Sequence, residues 1–460
     1  MEKSVGQEIL GSEKINKLIK ELTNEVALAN SAIKGVKEAE PQLIPSAEAK
    51  RAHIGKLRGR PLYHAYIGSG AGYGPYTELE DGSVKLDLIN GIGIHILGHS
   101  HPKLIEASLR ASIGDIIMQG NLEPNDEYVK LTETLVRLAG KQSRLKHAWL
   151  ATCGTMANEN ALKIARQKNT PAKMIVAFKD AFAGRSTMMA EVTDNPAYKV
   201  GLPSYDEVLR LPFCGANSDK ASHEDVLRKL KEYYAKHEKN IACMIFEPMQ
   251  GEGGFRYGTR EFLVPLLEFC REKHIAVWAD EVQTFMRTGE LFAFETLGIG
   301  EYIDICTVAK TIQTGATLYT EEYNPQPGLI AGTFSGATVS LAVGNEILRI
   351  LTEEGYLGPQ GKIQALHRKF VGMLSELADG SCKGLLSDPG GLGLMVAFTP
   401  YDGTKQKTED LIKRLFKNNL IAFSCGKDPY RIRFLLPAVM EDKDIAVAKS
   451  IIEKSILEGK

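Results

Sequence analysis

Three apolar runs in this 460-residue chain each end on an ionisable side chain: "IACMIF" on Glu247, "IAVWA" on Asp280 and "DICTVA" on Lys310. A strand-end lysine is a nucleophile able to condense with a carbonyl, and a carboxylate beside it can hold a protonated nitrogen. Any one of the three fits the ordinary fate of a charge, which is to mark where a buried strand leaves the core for water. Together they suggest more, because 33 residues separate Glu247 from Asp280 and 30 separate Asp280 from Lys310. Each interval suffices for a helix and a return strand, and open α/β sheets place ligands at the carboxyl edge where such strands end.

A fourth element is "ATCGTMANENALKIARQ", in which Gly154-Thr155 precede a helix packed through Ala157, Ala161, Ile164 and Ala165. Gly154 lets a ligand approach the backbone, and Thr155 is expected to cap the helix. Free N–H groups and the positive end of the dipole at a helix start suit a phosphate. A lysine nucleophile, a carboxylate and a phosphate cradle describe a site for pyridoxal phosphate. Lys310 would form the Schiff base, and Asp280 would stabilise the protonated pyridine nitrogen.

The elements that must position these groups follow from periodicity. From about 105 to 345, short apolar runs alternate with amphipathic stretches, which predicts a doubly wound, mostly parallel α/β sheet. In "TREFLVPLLEFCREKH", Thr259 is placed to cap a helix whose Phe262, Leu263, Leu266, Leu267 and Cys270 share one face. The last hundred residues predict a separate α+β domain, with strands near "GLGLMVAFT" and "YRIRFLL" and a closing helix at "DKDIAVAKSIIEKSIL". From Tyr63 to Gly98 glycine is dense, and "YTELEDGSVKLDLINGIG" alternates as a hairpin turning at Asp81-Gly82. "GSGAGYG", at 68–74, has no strand-to-helix frame and reads as a flexible loop over a site. Residues 12–60 read as helix-rich, with Ile15, Leu18, Ile19 and Leu22 as one apolar stripe.

Composition excludes whole classes of partner. The 56 basic and 57 acidic residues leave a net charge of -1, so nothing draws the chain to nucleic acid or to an anionic membrane. No run approaches the roughly 18 apolar residues of a membrane helix. The seven cysteines form no C-x-x-C pair and sit mostly in apolar runs, as reduced, buried thiols of a cytoplasmic protein do, with no metal site. "MEKSVGQEIL" carries acids and lacks an apolar core, so neither a signal peptide nor a transit peptide is expected.

Longer motifs carry a family resemblance. "FEPMQGEGGF" (246–255), "WADEVQT" (278–284), "RTGELFAFE" (287–295) and "DICTVAK" (304–310) are its main carriers. "LGHSHPKLIEA" (97–107), "CGTMANENALKIAR" (153–166) and "FAGRS" (182–186) add to them. In this combination the chain resembles the class III aminotransferases, the group of ornithine, acetylornithine and 4-aminobutyrate-like enzymes. The resemblance implies the fold type I architecture of pyridoxal phosphate enzymes. A helical extension (1–60) would precede the N-terminal part of a small domain (61–104), a large cofactor-binding domain (105–345) and a C-terminal small domain (346–460). It implies transfer of an amino group from an amino acid or ω-amine donor to a 2-oxo acid by a ping-pong mechanism.

By the same resemblance Lys310 holds the cofactor, Asp280 pairs with the ring nitrogen, and Gly154 and Thr155 hold the phosphate. Phe182 and Val282 pack on the two ring faces, Gln283 reaches the ring hydroxyl, and Glu247 belongs to the cofactor site. Thr333 in "AGTFSGA" would serve the phosphate of a partner subunit, which implies a homodimer with shared sites, with a tetramer left open. Arg433 in "YRIRFLLP" would grip a substrate carboxylate, with Arg431 as a competitor, and Glu252 would pair with Arg433 until a dicarboxylate displaces it. The chain departs from the family at Phe285-Met286, at Thr311 to Gly315 and at Ser335 to Thr338, all around the pocket, so the donor stays open. An aminomutase, decarboxylase, racemase or lyase on the same scaffold is the alternative chemistry, and an inactive cofactor-binding protein is the other.

Overall fold

Residues 3–62, 64–118, 120, 122–215 and 222–460 are described by the computed structural model; Tyr63, where the glycine-dense stretch begins, lies outside them. Among the described residues the central sheet has seven strands. In chain order these are β1 (Leu145–Ala151), β2 (Met174–Phe178), β3 (Val208–Leu211), β4 (Ile241–Phe246), β5 (Ala276–Asp280), β6 (Ile305–Val308) and β7 (Gly315–Thr320). They lie side by side as β1-β7-β6-β5-β4-β2-β3. β7 runs antiparallel to both of its neighbours, and the other strands run parallel to one another. Every residue of β4, β5 and β6 is buried, as strands covered on both faces require.

Register brings the three charges together. Ala279 stands opposite Phe246, and Asp280 opposite Thr307, so the adjacent strands β4, β5 and β6 end at one edge. The fully buried Trp278 ties β5 to β6, its Nε1–H donating to Thr307 Oγ1 at 3.1 Å. The helix Gly154–Lys168 follows β1 and buries Ala157, Ala161, Ile164 and Ala165 as expected. In the helix Arg260–Glu272, Thr259 accepts from the Phe262 N–H, and the expected face is buried with Phe269 added.

Two smaller sheets join distant parts of the chain. Gly68–Tyr73, Tyr76–Leu79 and Val84–Asp87 form an antiparallel meander, and Leu420–Ile421 adds to it in parallel alongside Val84–Asp87. The other sheet orders Leu386–Leu392, Met395–Pro400, Arg431–Leu435 and Phe423–Cys425. The expected hairpin is present, turning through Gly82 at a φ of 74°.

Three expectations need correction. "GSGAGYG" is an edge strand rather than a loop, and its Gly72 serves close packing: a Cβ there would lie 2.4 Å from His99 Cβ. The N-terminal stripe is only partly used, because in the helix Glu13–Asn30 Ile19 is buried while Leu18 and Leu22 are about half exposed, at 55% and 51%. The cysteines are free and buried except Cys153, which is exposed.

Glu281, next to Asp280, points the other way. Its buried carboxylate accepts from the Thr284 hydroxyl at 2.6 Å and from the Ala293 and Phe294 N–H groups at 2.8 Å each. It thereby holds the loop after Asp280, where Met286 takes a left-handed φ of 65°. Replacing Glu281 by leucine leaves these donors without an acceptor and should cost on the order of 3 kcal/mol of stability. Urea denaturation of the cofactor-free protein measures this, and Glu281→Gln, which keeps an acceptor, should lose less.

Candidate active site

The carboxyl edge of the sheet opens into a cavity of about 460 Å³. Gly154, Thr155, Phe182, Glu247, Glu252, Asp280, Val282, Gln283 and Lys310 all line it. The remaining two expected residues stand apart: Arg433 meets the cavity through Glu252, and Thr333 is exposed and does not line it.

Lys310 is delivered by a sharp turn. After β6 the chain enters a single turn at Lys310–Ile312, with Lys310 at φ 55° and Gln313 at φ 61°. A left-handed conformation costs a non-glycine residue about 1–2 kcal/mol, and such strain gathers where packing fixes a functional group. Burial lowers the Lys310 amine to about 8; Glu252 and Asp280 pull it upward, and Arg433 adds to the lowering.

The two carboxyls move the opposite way. Burial pushes Asp280 up to about 6, against N–H donors from Val282 (3.0 Å, to Oδ1) and Asn158 (2.8 Å, to Oδ2). Glu247 is pushed up to about 8 by burial and then by the charge of Asp280. Its oxygens accept from Phe182 N–H at 3.0 Å and Gly251 N–H at 2.9 Å. Glu247 therefore holds the backbone beside the aromatic wall and the start of the next loop.

The helix start differs in detail from the expectation. Cys153, not Thr155, is the cap residue, and its side chain makes no capping bond. The first helical bond joins Ala157 N–H to Cys153 O, so the N–H groups of Gly154, Thr155 and Met156 have no intrahelical acceptor. A Cβ on Gly154 would lie 2.7 Å from Val282 Cγ1, so only glycine leaves the cradle open. Two buried cavity-lining atoms, Gln283 Oε1 and Asn158 Oδ1, have no partner. Open N–H donors for a phosphate, orphaned acceptors and a buried amine fit pyridoxal phosphate.

The two arginines separate clearly. Arg431 is spent on the carbonyls of Gly254 (2.7 Å) and Asp388 (2.6 Å) and on the Asp388 carboxylate (3.2 Å). Arg433, its side chain 4% exposed, pairs with Glu252 at 2.8 Å and also donates to Gly251 O at 3.2 Å. Glu252, 37% exposed, is the more exposed member of that pair.

Sequence reading passed over Asn158, Ile94 and Cys153, which also line the cavity, and had Gln313 only as part of the Thr311 to Gly315 segment around the pocket. Asn158 had a signal, since it lies one helical turn beyond Gly154 and so on the same face. Ile94 had none, because it is brought to the site through the Gln313 amide, which reaches Ile94 O from 219 residues away in sequence.

The lowered lysine gives a direct test. Its folded value lies below the ordinary 10.5, so the native chain binds fewer protons between about 8 and 10.5 and gains stability as pH rises through that window. Competitive acylation of the cofactor-free protein should give Lys310 a reactivity midpoint near pH 8. Exposed lysines should titrate near the ordinary value of about 10.4. A midpoint there for Lys310 would mean a solvated amine.

Comparison with known proteins agrees with this geometry. The model of the family described as aminotransferase class-III matches residues 64–456. A probable 4-aminobutyrate aminotransferase of Bacillus subtilis is 30% identical over 404 residues, covering 82% of this chain and 89% of the relative. The 4-aminobutyrate aminotransferase GabT of Escherichia coli is 31% identical, covering 83% and 91%. Among solved structures, the lysine aminotransferase of M. tuberculosis in its internal aldimine form superposes with a TM-score of 0.78 at 22% identity, covering 89% of this chain and all of that one. A Bacillus anthracis aminotransferase gives 0.80 at 18% identity, covering 92% and 100%. The superpositions establish a shared fold, and the family match with the sequence relatives establishes membership: the chain belongs to the class-III aminotransferases, enzymes that use pyridoxal phosphate to move an amino group between small molecules.

Proposed function

We propose that the enzyme takes its amino group from a donor whose reacting amine is terminal and passes it to a 2-oxo acid in two successive half-reactions. The Arg433–Glu252 pair, 2.8 Å apart beside the cavity, carries this reading. With the pair closed, the wall beside Lys310 is electrically neutral and accepts an amine-bearing carbon that lacks a neighbouring carboxylate. When a 2-oxo acid enters, Glu252 swings toward solvent and Arg433 takes the carboxylate in its planar fork. The names of the 4-aminobutyrate and 5-aminovalerate aminotransferases among the relatives support a terminal amine.

Lys310 would anchor the cofactor, and its amine would then carry a proton from the substrate carbon to the cofactor, and back to the carbon of the 2-oxo acid in the second half-reaction. Asp280 holds the ring nitrogen protonated, Phe182 and Val282 wall the ring, Gln283 reaches the ring hydroxyl, and Gly154 and Thr155 bind the phosphate. When bound, pyridoxal phosphate supplies the electron sink that stabilises negative charge at the substrate carbon. Each assignment is supported by that residue's place on the cavity wall.

Thr333 supports a homodimer with shared sites. It is exposed, off its own cavity, and beside it Phe334, Ile116 and Ile117 leave apolar side chains 51–53% exposed on two paired segments. Such a patch suits a partner surface. The sheets likewise support a large domain at 105–345, with 61–104 and 346–460 combining into a small one and 1–60 as an extension. The buried, free thiols agree with a cytoplasmic setting.

Three experiments test these readings. Half-reactions with a panel of donors, followed by loss of the bound cofactor band, should be faster with terminal amines than with α-amines. Glu252→Gln should strengthen binding of α-carboxylates, and Arg433→Ala should weaken the 2-oxo acid by about 2–5 kcal/mol, with the two changes non-additive. Additive effects would refute the exchange. Light scattering of the active enzyme should give a dimer or a multiple of one, and a fully active monomer would contradict the shared site.

A further inference from the structure

Asn158 touches two parts of the cofactor site at once. Its side chain is buried, the residue being 1% exposed, and Nδ2 donates to Asp280 Oδ2 at 2.8 Å and to Ala183 O at 2.7 Å. Both neighbours are acceptors, so the amide must present its nitrogen to them, and a flipped amide would set oxygen against oxygen. Ala183 follows Phe182, whose N–H is taken by Glu247, and the Ala183 N–H is taken by Thr193 Oγ1 at 2.9 Å. The segment beside the aromatic wall is thus held from three sides, and Asn158 is the member that also holds Asp280.

We propose that Asn158 is a positioning residue for the cofactor ring: its amide fixes the Asp280 carboxylate and the Phe182–Ala183 wall in one frame, and keeps that carboxylate ionised to face the pyridine nitrogen. This rests on Asp280 being the partner of that nitrogen. Each Asp280 oxygen already receives one N–H, from Val282 or from Asn158, and a carboxylate oxygen has room for a second donor. Burial alone favours the protonated carboxyl, and the Asn158 bond is one of the few contacts opposing it. Without that bond, the Asp280 Oδ2 loses its N–H donor and the carboxylate is held through Oδ1 alone.

The test is binding to the cofactor-free protein of pyridoxal phosphate and of its 1-deaza analogue, in which carbon replaces the ring nitrogen. Wild-type protein should prefer pyridoxal phosphate. Asn158→Leu should reduce that preference about tenfold, the scale of one hydrogen bond to a charged group, while affinity for the analogue stays within about twofold. Should Asn158→Leu fail to fold, Asn158→Ala removes the donor without adding bulk or charge and should lose the same preference. A preference retained in the folded variant overturns the role of Asn158. Absence of any preference in wild-type protein overturns the Asp280 reading on which it rests, so the two failures are distinguishable. Equal loss for both ligands would mark Asn158 as merely structural and would also overturn the proposal.

Discussion

Everything in the site depends on ending three adjacent parallel strands at one edge with charges and then excluding water from them. Lys310 is lowered, and Asp280 and Glu247 are raised, each chiefly by burial. All three are driven toward neutrality, the response of ionisable groups desolvated before their counter-charge arrives. Glu281 is equally buried and is likewise pushed up, to about 7, but it differs in place: it has three donors and no face on the cavity. Neighbouring acids thus do different work, one holding a loop and one left open to a ligand.

The loop after β4 connects this edge to the rest of the molecule. Glu247 holds the backbone of Phe182, Glu252 pairs with Arg433, and the carbonyls of Gly251 and Gly254 take Arg433 and Arg431. Both arginines sit on a strand of the C-terminal sheet, so the cofactor edge and the substrate-facing arginine are braced by one short segment. The side chain of Glu252 is the exposed end of this segment, while its neighbours' backbone carbonyls are held by the two arginines.

Much of this is legible because it is local in sequence. Buried strands read as unbroken apolar runs, and the charge closing each run marks the edge, so Glu247, Asp280 and Lys310 stand out from residue order alone. The helix after Gly154 is legible from its alanine face, although the identity of its cap is not. Thr155 has the right chemistry for a cap, but the chain turns earlier, at Cys153. The strand at Gly68–Tyr73 is hidden by its glycines, and Gly72 among them answers to His99, a contact made in three dimensions. Gln313 meeting Ile94 and Asn158 meeting Asp280 are long-range in the same sense, and residue type alone does not announce them.

The central claim is that the strained turn after β6 presents Lys310 as the group that binds the cofactor and moves the proton. Borohydride reduction of the loaded enzyme, followed by peptide mapping, measures it most directly. A pyridoxyl group on Lys310 alone, together with loss of amino transfer in Lys310→Ala, is the result this structure predicts. The same group on another lysine, or undiminished transfer in Lys310→Ala, would contradict it.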